Sequence, residues 1–184
     1  MKNIYQLKVV LNGVKPPIWR RILVPSDIEL GSLHLVLQLV MGWTNSHLHQ
    51  FISGRTFYGI KDDEFSFGLE VKDENKYTLN KLLESEKETI VYEYDFGDSW
   101  EHKIILEKIL PYEKDKKLPL CIKGKRACPP EDCGGIWGYQ ELLNTLSDPE
   151  NPEYEEMLEW LGGGFDPEAF DIAETNEQLS AYFR

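Results

Sequence analysis

The sequence predicts an α+β fold in which a mainly antiparallel sheet comes first and helices are concentrated in the C-terminal third. Alternating polar and apolar residues indicate strands from the N-terminus onward, and one amphipathic helix follows the first two strands. Helical segments bounded by proline or glycine dominate after residue 138. Because there is no internal repeat and no low-complexity linker, residues 1–184 are expected to form a single α+β domain.

Two strands are predicted at the N-terminus, over residues 3–12 and 18–24, because polarity alternates in both runs. A short connection rich in glycine and proline joins them, which favours an antiparallel pair. In the second strand, alternation places Trp19 in the core and Arg20 at the opposite, solvent-facing side. The alternative is that Trp19, Arg20 and Arg21 contact a phosphate or a base.

The next run is the strongest helix signal in the chain, because its apolar residues form one continuous stripe. Gly31-Ser32 supplies the start and Gly42 the stop. His34 and Gln38 are four residues apart and are predicted to lie on a neighbouring, more exposed face. The stripe consists of Leu33, Val36, Leu37, Val40 and Met41.

The remaining elements are shorter and are bounded by turn residues or prolines. In the middle of the chain, strands are predicted over 47–52, 56–60, 89–94 and 100–110, with a short helix from Thr78 through Leu83. Prolines and a glycine pair predict a long loop over 111–137. The final helices are predicted over 139–146, from Asn151-Pro152 to Leu161, and from about Asn176 onward.

Composition predicts a soluble cytoplasmic protein. A hydrophobic content of 41% and an aromatic content of 12% suit a folded domain. No apolar run approaches the roughly 20 residues that a membrane span needs, and the N-terminus lacks the apolar core of a signal peptide. Three cysteines, an odd number, indicate a reducing compartment rather than a disulfide framework.

The net charge of −12 makes nonspecific binding of nucleic acid unfavourable, because the surface as a whole repels polyanions. Residues 1–60 nevertheless carry six bases and two acids, and a second basic stretch lies in the predicted loop. Together they could form a local basic face for a partner, or they are solvated charge that keeps the protein soluble. The second stretch contains Lys114, Lys116, Lys117, Lys123, Lys125 and Arg126.

The segment from Tyr94 to His102 is the densest group of reactive side chains. Asp95, Asp98, Glu101 and His102 fall within eight residues, on a hairpin between two predicted strands. They could bind a divalent metal or pair as acid and base. Alternatively, the aspartates bond free backbone amides in the turn and His102 projects onto one sheet face.

His47 and His49 are the second candidate pair. Residues i and i+2 of a strand share a face, so both imidazoles would point the same way, with roughly 6–7 Å between their Cα atoms. That spacing would let both bind one metal ion, together with Asp98 and His102 of the hairpin. The alternative is two polar residues on a solvated face.

Cys121, Cys128 and Cys133 are the third candidate group. Their spacing is not that of a zinc ribbon, but three thiolates and one histidine could still hold a structural zinc ion. The alternative is free cysteines in a loop that its prolines and glycines already make rigid.

Five motifs together resemble the Ri-plasmid Orf3-like family, which is also labelled insertion-element passenger, TnpR-like. They are Pro-Pro-Ile-Trp-Arg-Arg at 16–21, Gly-Trp at 42–43 with His-Leu-His-x-Phe at 47–51, Tyr-Asp-Phe-Gly-Asp-Ser-Trp-x-His at 94–102, Ala-Cys-Pro-Pro-Glu-Asp-Cys-Gly-Gly at 127–135 with Gly-Tyr at 138–139, and Phe-Asp-Pro-Glu-x-Phe at 165–170. The resemblance implies a small α+β domain, often encoded on plasmids or mobile elements, with no established activity.

Three functions therefore remain open for this sequence. The leading hypothesis is a non-enzymatic binding or accessory module that uses His47, His49, Asp95, Asp98 and His102 with the basic loop. The second is a metal-dependent hydrolase in which the histidines and aspartates bind one or two divalent ions and Glu101 is the general base. The third is an interaction module with a structural zinc ion at the cysteines.

Overall fold

One eight-stranded sheet organises the molecule, whose computed structural model describes residues 3–60 and 70–183. Its strands lie in the order β5-β4-β3-β6-β7-β1-β2-β8, and all neighbours are antiparallel except β4 and β5. The strands are β1 (Asn3–Leu11), β2 (Trp19–Pro25), β3 (His49–Ser53), β4 (Thr56–Gly59), β5 (Val71–Asp73), β6 (Thr89–Tyr94), β7 (Trp100–Pro111) and β8 (Leu120–Lys125). The helices are α1 (Leu30–Met41), α2 (Gly135–Leu146), α3 (Tyr154–Trp160) and α4 (Ile172–Tyr182).

The core lies between one face of this sheet and α1. Leu33, Val36 and Leu37 of the predicted apolar stripe are fully buried, as are Leu7 and Val9 on β1. The 2-residue period of the strand and the 3.6-residue period of the helix each turn one apolar side inward, so the two faces cover each other. The predicted fold class is therefore confirmed, with the helix after two strands and three more helices near the C-terminus.

The predicted long loop over 111–137 is wrong in part, because it contains β8, which pairs with β2. Local pattern did not indicate this strand, since its three apolar residues are consecutive and are followed by Lys123, Gly124 and Lys125. The glycine is required by packing, because a Cβ there would lie 2.4 Å from the Phe170 ring. β5 was also missed.

The predicted starts of helices also differ from the observed ones. α4 begins at Ile172 rather than near Asn176, because the Asp171 carboxylate accepts hydrogen bonds from the backbone N–H groups of Ala173 and Glu174. The helix predicted after Thr78 is a short 3₁₀ turn, Leu79–Lys81. Within the described residues, no helix is both long and apolar enough to cross a membrane.

Arg20 is buried, so its predicted place on the solvent side is wrong. Its Nε donates to the Val40 carbonyl at 2.6 Å, at the C-terminal end of α1, and its Nη1 donates to the Lys125 carbonyl at 3.0 Å. The guanidinium also stacks 3.9 Å from the Phe170 ring. A cation stabilises the negative end of a helix dipole, and α1 has no basic residue in its own last turn. Arg20 therefore joins β2, α1 and β8.

Candidate functional site

Three segments that are distant in sequence bring His47, Asp95 and Asp132 together; we call these residues the His47 cluster. The imidazole Nδ1 lies 3.8 Å from an Asp95 carboxylate oxygen, and Nε2 lies 3.3 Å from an Asp132 oxygen. One ligating atom from each residue falls within 4.8 Å of the other two. Asp95 is buried but the Asp132 side chain is 72% exposed, so the cluster opens to solvent.

The tight turn of the β6–β7 hairpin directs Asp95 toward His47. Asp95 has a left-handed backbone conformation with φ +58°, and one of its carboxylate oxygens accepts the Gly97 N–H at 2.9 Å. The other oxygen is the one that faces His47. An aspartate that closes its own turn in this way holds its carboxylate in one orientation.

Asp132 reaches the cluster because the loop around it is docked on the same hairpin. The Asp98 carboxylate accepts the Gly134 N–H at 3.2 Å, and a Cβ at Gly135 would lie 2.7 Å from the Asp98 carbonyl oxygen. The indole of Trp43 donates to the Pro129 carbonyl at 3.0 Å. Asp98 is thus a structural partner of the loop rather than a member of the cluster.

Glu131 adds a third acidic side chain beside the two aspartates of the cluster. The hydroxyls of Tyr94 and Thr44 both donate to its carboxylate. Burial alone would raise the pKa of the Glu131 carboxyl, but these hydrogen bonds and His47 outweigh burial, so that the pKa lies below its usual value. Glu131 therefore carries a negative charge next to His47 at neutral pH.

His49 lies in a different environment from His47. We call the group that surrounds it, with His49 itself, the His49 cluster: His34, His49, Glu74 and Tyr92. His49 Nε2 lies 2.9 Å from a Glu74 carboxylate oxygen, and both side chains are buried. The His49 ring stacks on His34 with 3.4 Å between centroids and 3° between planes. His34 Nδ1 is 2.8 Å from the Tyr92 hydroxyl.

The prediction that His34 and Gln38 occupy an exposed face is wrong, because both are buried in this polar network. Gln38 donates to the Tyr92 hydroxyl at 2.9 Å and accepts the Asn45 N–H at 2.9 Å. His34 Nε2 is 2.7 Å from the Asn45 amide oxygen, which can only accept, so His34 carries its proton there. α1 thereby holds the loop that carries His47.

Burial and the neighbouring His49 lower the pKa of His34 to about 4. Its two ring nitrogens are both occupied by hydrogen bonds from or to neutral groups. Both hydrogen-bonding positions of the His34 ring are therefore filled, and His34 is neutral at physiological pH.

The hairpin histidine and glutamate lie outside the His47 cluster. His102 is fully buried between Trp43 and Tyr92, at centroid distances of 5.1 Å and 5.5 Å, and burial lowers its pKa to about 4. Glu101 is exposed while its neighbours Trp100 and His102 are buried, so it lies on the opposite sheet face. Of the predicted ligand residues, the structure brings together His47 and Asp95 and adds Asp132.

The three cysteines are free, and burial raises the pKa of each thiol, that of Cys133 to about 12. The Cys121 thiol is 3.7 Å from the Lys123 carbonyl. Across residues 3–60 and 70–183, no group of three adjoining ligand atoms includes a cysteine. The structure thus assembles no thiolate cage from Cys121, Cys128 and Cys133.

Part of the predicted basic face is occupied by internal ion pairs. Arg126 is buried, and its guanidinium bonds a Glu168 carboxylate and the Pro16 carbonyl, both at 2.6 Å. Lys125 lies 3.9 Å from Glu168, and Lys116 lies 3.0 Å from Glu113. The loop therefore offers less free positive charge than its sequence suggests.

A solvent-accessible cavity of about 670 Å³ opens beside His47, between the first turn of α1 and the loop before β3. Its walls carry hydroxyl, amide, imidazole and carboxylate groups, and a cavity of this size accepts a small polar molecule. The polar lining consists of Ser32, His34, Asn45, Ser46, His47, His49, Glu74 and Asn75.

Sequence reasoning missed Glu131 and Asp132 as site residues. The available signal was an acidic pair enclosed by Pro129-Pro130 and Gly134-Gly135, because a rigid loop orients the side chains that it carries.

Comparison with known proteins supports the family resemblance. The family model described as plasmid pRiA4b ORF-3-like protein matches residues 3–174. An uncharacterised protein of Sinorhizobium fredii, y4hQ, is 38% identical over 178 residues, which cover 96% of this chain and 91% of that protein. The crystal structure of MM3350, a protein of unknown function from Methanosarcina mazei Go1, aligns with a TM-score of 0.84 and 41% identity, covering 95% of this chain and 98% of that one.

Proposed function

This chain belongs to the plasmid pRiA4b ORF-3-like family, and we propose that it is a binding module for a divalent metal ion. The observation that carries the proposal is the convergence of His47, Asp95 and Asp132, whose ligating atoms lie within 4.8 Å of one another. His47, Asp95 and Asp132 each lie in a separate turn or loop, and these three segments must be held together for the residues to meet. Charged residues that only face solvent would not need such an arrangement.

The ligand types suit a transition-metal ion such as Zn²⁺ or Mn²⁺, because imidazole and carboxylate ligands are combined. His47 Nε2 is shielded from solvent and lies 3.3 Å from an Asp132 oxygen, but within the described part of the chain it makes no hydrogen bond of good geometry. Three protein ligands leave coordination positions for water or for a bound molecule, as in open rather than structural metal sites. His47 also lines the cavity described above, so a molecule bound there would contact the imidazole.

A metal-dependent hydrolase is the second candidate, and the negatively charged Glu131 favours it. A divalent ion lowers the pKa of its bound water, and a carboxylate nearby can accept the proton. In this hypothesis Glu131 takes the role that the sequence suggested for Glu101, which lies on the other sheet face. The structural zinc hypothesis and an association with mobile elements stay predictions.

Metal analysis of untagged protein tests the proposal. After bound metal has been removed with a chelator, calorimetric titration with Zn²⁺ or with Mn²⁺ is expected to show one ion bound per chain. His47→Ala and Asp132→Asn are each expected to weaken binding by about 100-fold or more. Glu101→Gln, which removes one carboxylate charge on the opposite sheet face, is the matched control and is expected to stay within about twofold. A wild-type chain that binds no ion, or binding lost only in Cys128→Ala, would contradict the proposal.

The hydrolase is tested by comparing metal-loaded wild type with Glu131→Gln on chromogenic phosphodiester and carboxylic ester substrates. The variant is expected to keep its metal and to lose about 100-fold in turnover, because the proton acceptor is removed. Equal turnover in the two proteins excludes Glu131 as the base.

A further inference from the structure

We propose that the groove between α2 and α3 is a docking site for a basic, amphipathic segment of a partner protein. The groove has a volume of about 410 Å³. Its lining includes the apolar side chains of Leu142 on α2 and of Met157 and Trp160 on α3, which we call the apolar floor. It also includes three exposed acidic side chains, Asp132, Glu153 and Glu156, which we call the acidic edge. An apolar floor with charged edges of one sign is the layout of a peptide-binding groove rather than of a solvated surface.

Exposed indoles support a partner at this place. Trp160 is 49% exposed and Trp137, one residue before the Gly138 that lines the groove, is 85% exposed. α3 has no fully buried residue, although it carries Met157, Leu158 and Trp160. Leaving such apolar surface in water is unfavourable, and tryptophan is enriched among residues that dominate binding energy.

The charge around the groove selects the partner. Beyond Gly135 the chain has twelve acids and only one base, Arg184. Within residues 3–60 and 70–183, the ion pairs involve neither Glu153 nor Glu156. Lysine or arginine from a partner would pair with these carboxylates and lie over the indole faces. An acidic peptide or a nucleic acid would be repelled.

The partner segment therefore carries an apolar anchor between flanking cations. The anchor packs between Met157 and Trp160, and the cations reach the acidic edge. Asp132 belongs both to this edge and to the His47 cluster, so a lysine or arginine placed there would weaken metal binding. The docking site itself does not depend on the metal, because its floor and its other acids lie outside that cluster.

A displayed library of random 12-residue peptides tests the proposal. Selection on wild-type protein, with counter-selection on a Glu153→Gln/Glu156→Gln/Trp160→Ser variant, is expected to enrich sequences with Lys or Arg around Leu, Met or an aromatic residue. A peptide from this pool is then labelled and titrated. The double variant Glu153→Gln/Glu156→Gln is expected to weaken binding of this peptide by about tenfold. The variant Trp160→Ser is expected to weaken binding by at least about tenfold in high salt, where charge is screened and the apolar contact remains.

Glu174→Gln/Glu177→Gln on α4 is the matched control, since it removes the same charge from exposed positions elsewhere. It is expected to change binding by less than about twofold. Enrichment of acidic or charge-free peptides, no enrichment, or an equal loss in the control overturns the proposal. Sedimentation of the wild type as a dimer that Trp160→Ser dissociates also overturns it, because the groove would then bind a second copy of this chain.

Discussion

His47 and His49 are two residues apart, yet they belong to clusters of opposite character. His49 is buried against Glu74 and His34. His47 faces two aspartates, one of them on an exposed loop. A histidine whose partners are all internal stabilises the fold, whereas one among carboxylates open to solvent can bind a ligand. The comparison shows that the surroundings of a histidine, rather than its spacing, indicate its role.

Removal of a partner within the His49 cluster is expected to have the largest effect on stability. His49→Leu leaves the buried Glu74 carboxylate without its imidazole, and we expect the free energy of unfolding to fall by about 3 kcal/mol or more. His47→Leu is expected to cost less than about 1 kcal/mol, because its neighbourhood is partly solvated. Urea unfolding of the two variants at pH 7 measures both, and equal losses would show that the clusters do not differ.

Metal binding should stabilise the protein through the His47 cluster alone. At a free ion concentration of about 100 times Kd, linkage predicts an increase of about 2.7 kcal/mol in the free energy of unfolding. Urea unfolding with and without the ion measures it. We expect no increase for His47→Ala. The same increase in this variant would place the ion elsewhere.

The buried neutral histidines predict a loss of stability in mild acid. The pKa values of His34 and His102 are about 4 in the folded protein, against about 6.5 when unfolded. Because the unfolded chain binds these protons first, their stabilisation is present above pH 6.5 and is lost as pH falls toward 4. The expected slope is about 1.4 kcal/mol per pH unit for each histidine.

Urea unfolding at pH 6.5, 5.5 and 4.5 measures that slope. His102→Gln is expected to reduce it by the contribution of one proton, and an unchanged slope would show that His102 titrates normally.

Tyr92→Phe tests whether the two clusters are coupled. It removes the hydroxyl that Gln38 donates to and that bonds His34, for an expected loss of about 1 kcal/mol. Because this network holds Asn45, two residues from His47, metal affinity is expected to fall by up to about tenfold. Calorimetric titration of the variant with the metal ion measures this affinity. An unchanged metal affinity would mean that other contacts hold the loop that carries His47.

Glu101→Gln should have the smallest effect. The side chain is exposed on the sheet face opposite His102, so stability should change by less than about 0.5 kcal/mol and metal content should not change. Loss of metal from this variant, measured by elemental analysis, would restore Glu101 to the site.

Local pattern predicted much of the fold because element type depends on neighbours in the chain. β6 was predicted with the bounds that it has, and the stripe from Leu33 to Met41 correctly gave α1. β8 was missed because its strand character comes from pairing with β2 and from the approach of Phe170. Arg20 was misplaced because its acceptors are the end of α1 and a strand about 100 residues later.

The candidate site was predictable only in part for the same reason. His47 and Asp95 stood out as reactive groups near turns, but no local pattern links either one to Asp132. Helical periodicity predicts that His34 is exposed, but His34 is buried because Tyr92, 58 residues away, supplies a hydrogen-bond partner. A polar residue is stable in the interior only when such a partner exists.

Periodicity and turn chemistry act over a few residues, and they predict the α+β class and most of the element types. The five motifs predict the family. Contacts between distant segments establish that His49 is buried against Glu74 and that His47 lies beside two carboxylates. The same contacts bring Asp132, Glu153 and Glu156 to the lining of one groove with an apolar floor. Burial and hydrogen bonding both depend on contacts between distant segments. These contacts arise when α1, the β6–β7 hairpin and the C-terminal helices pack together around the sheet.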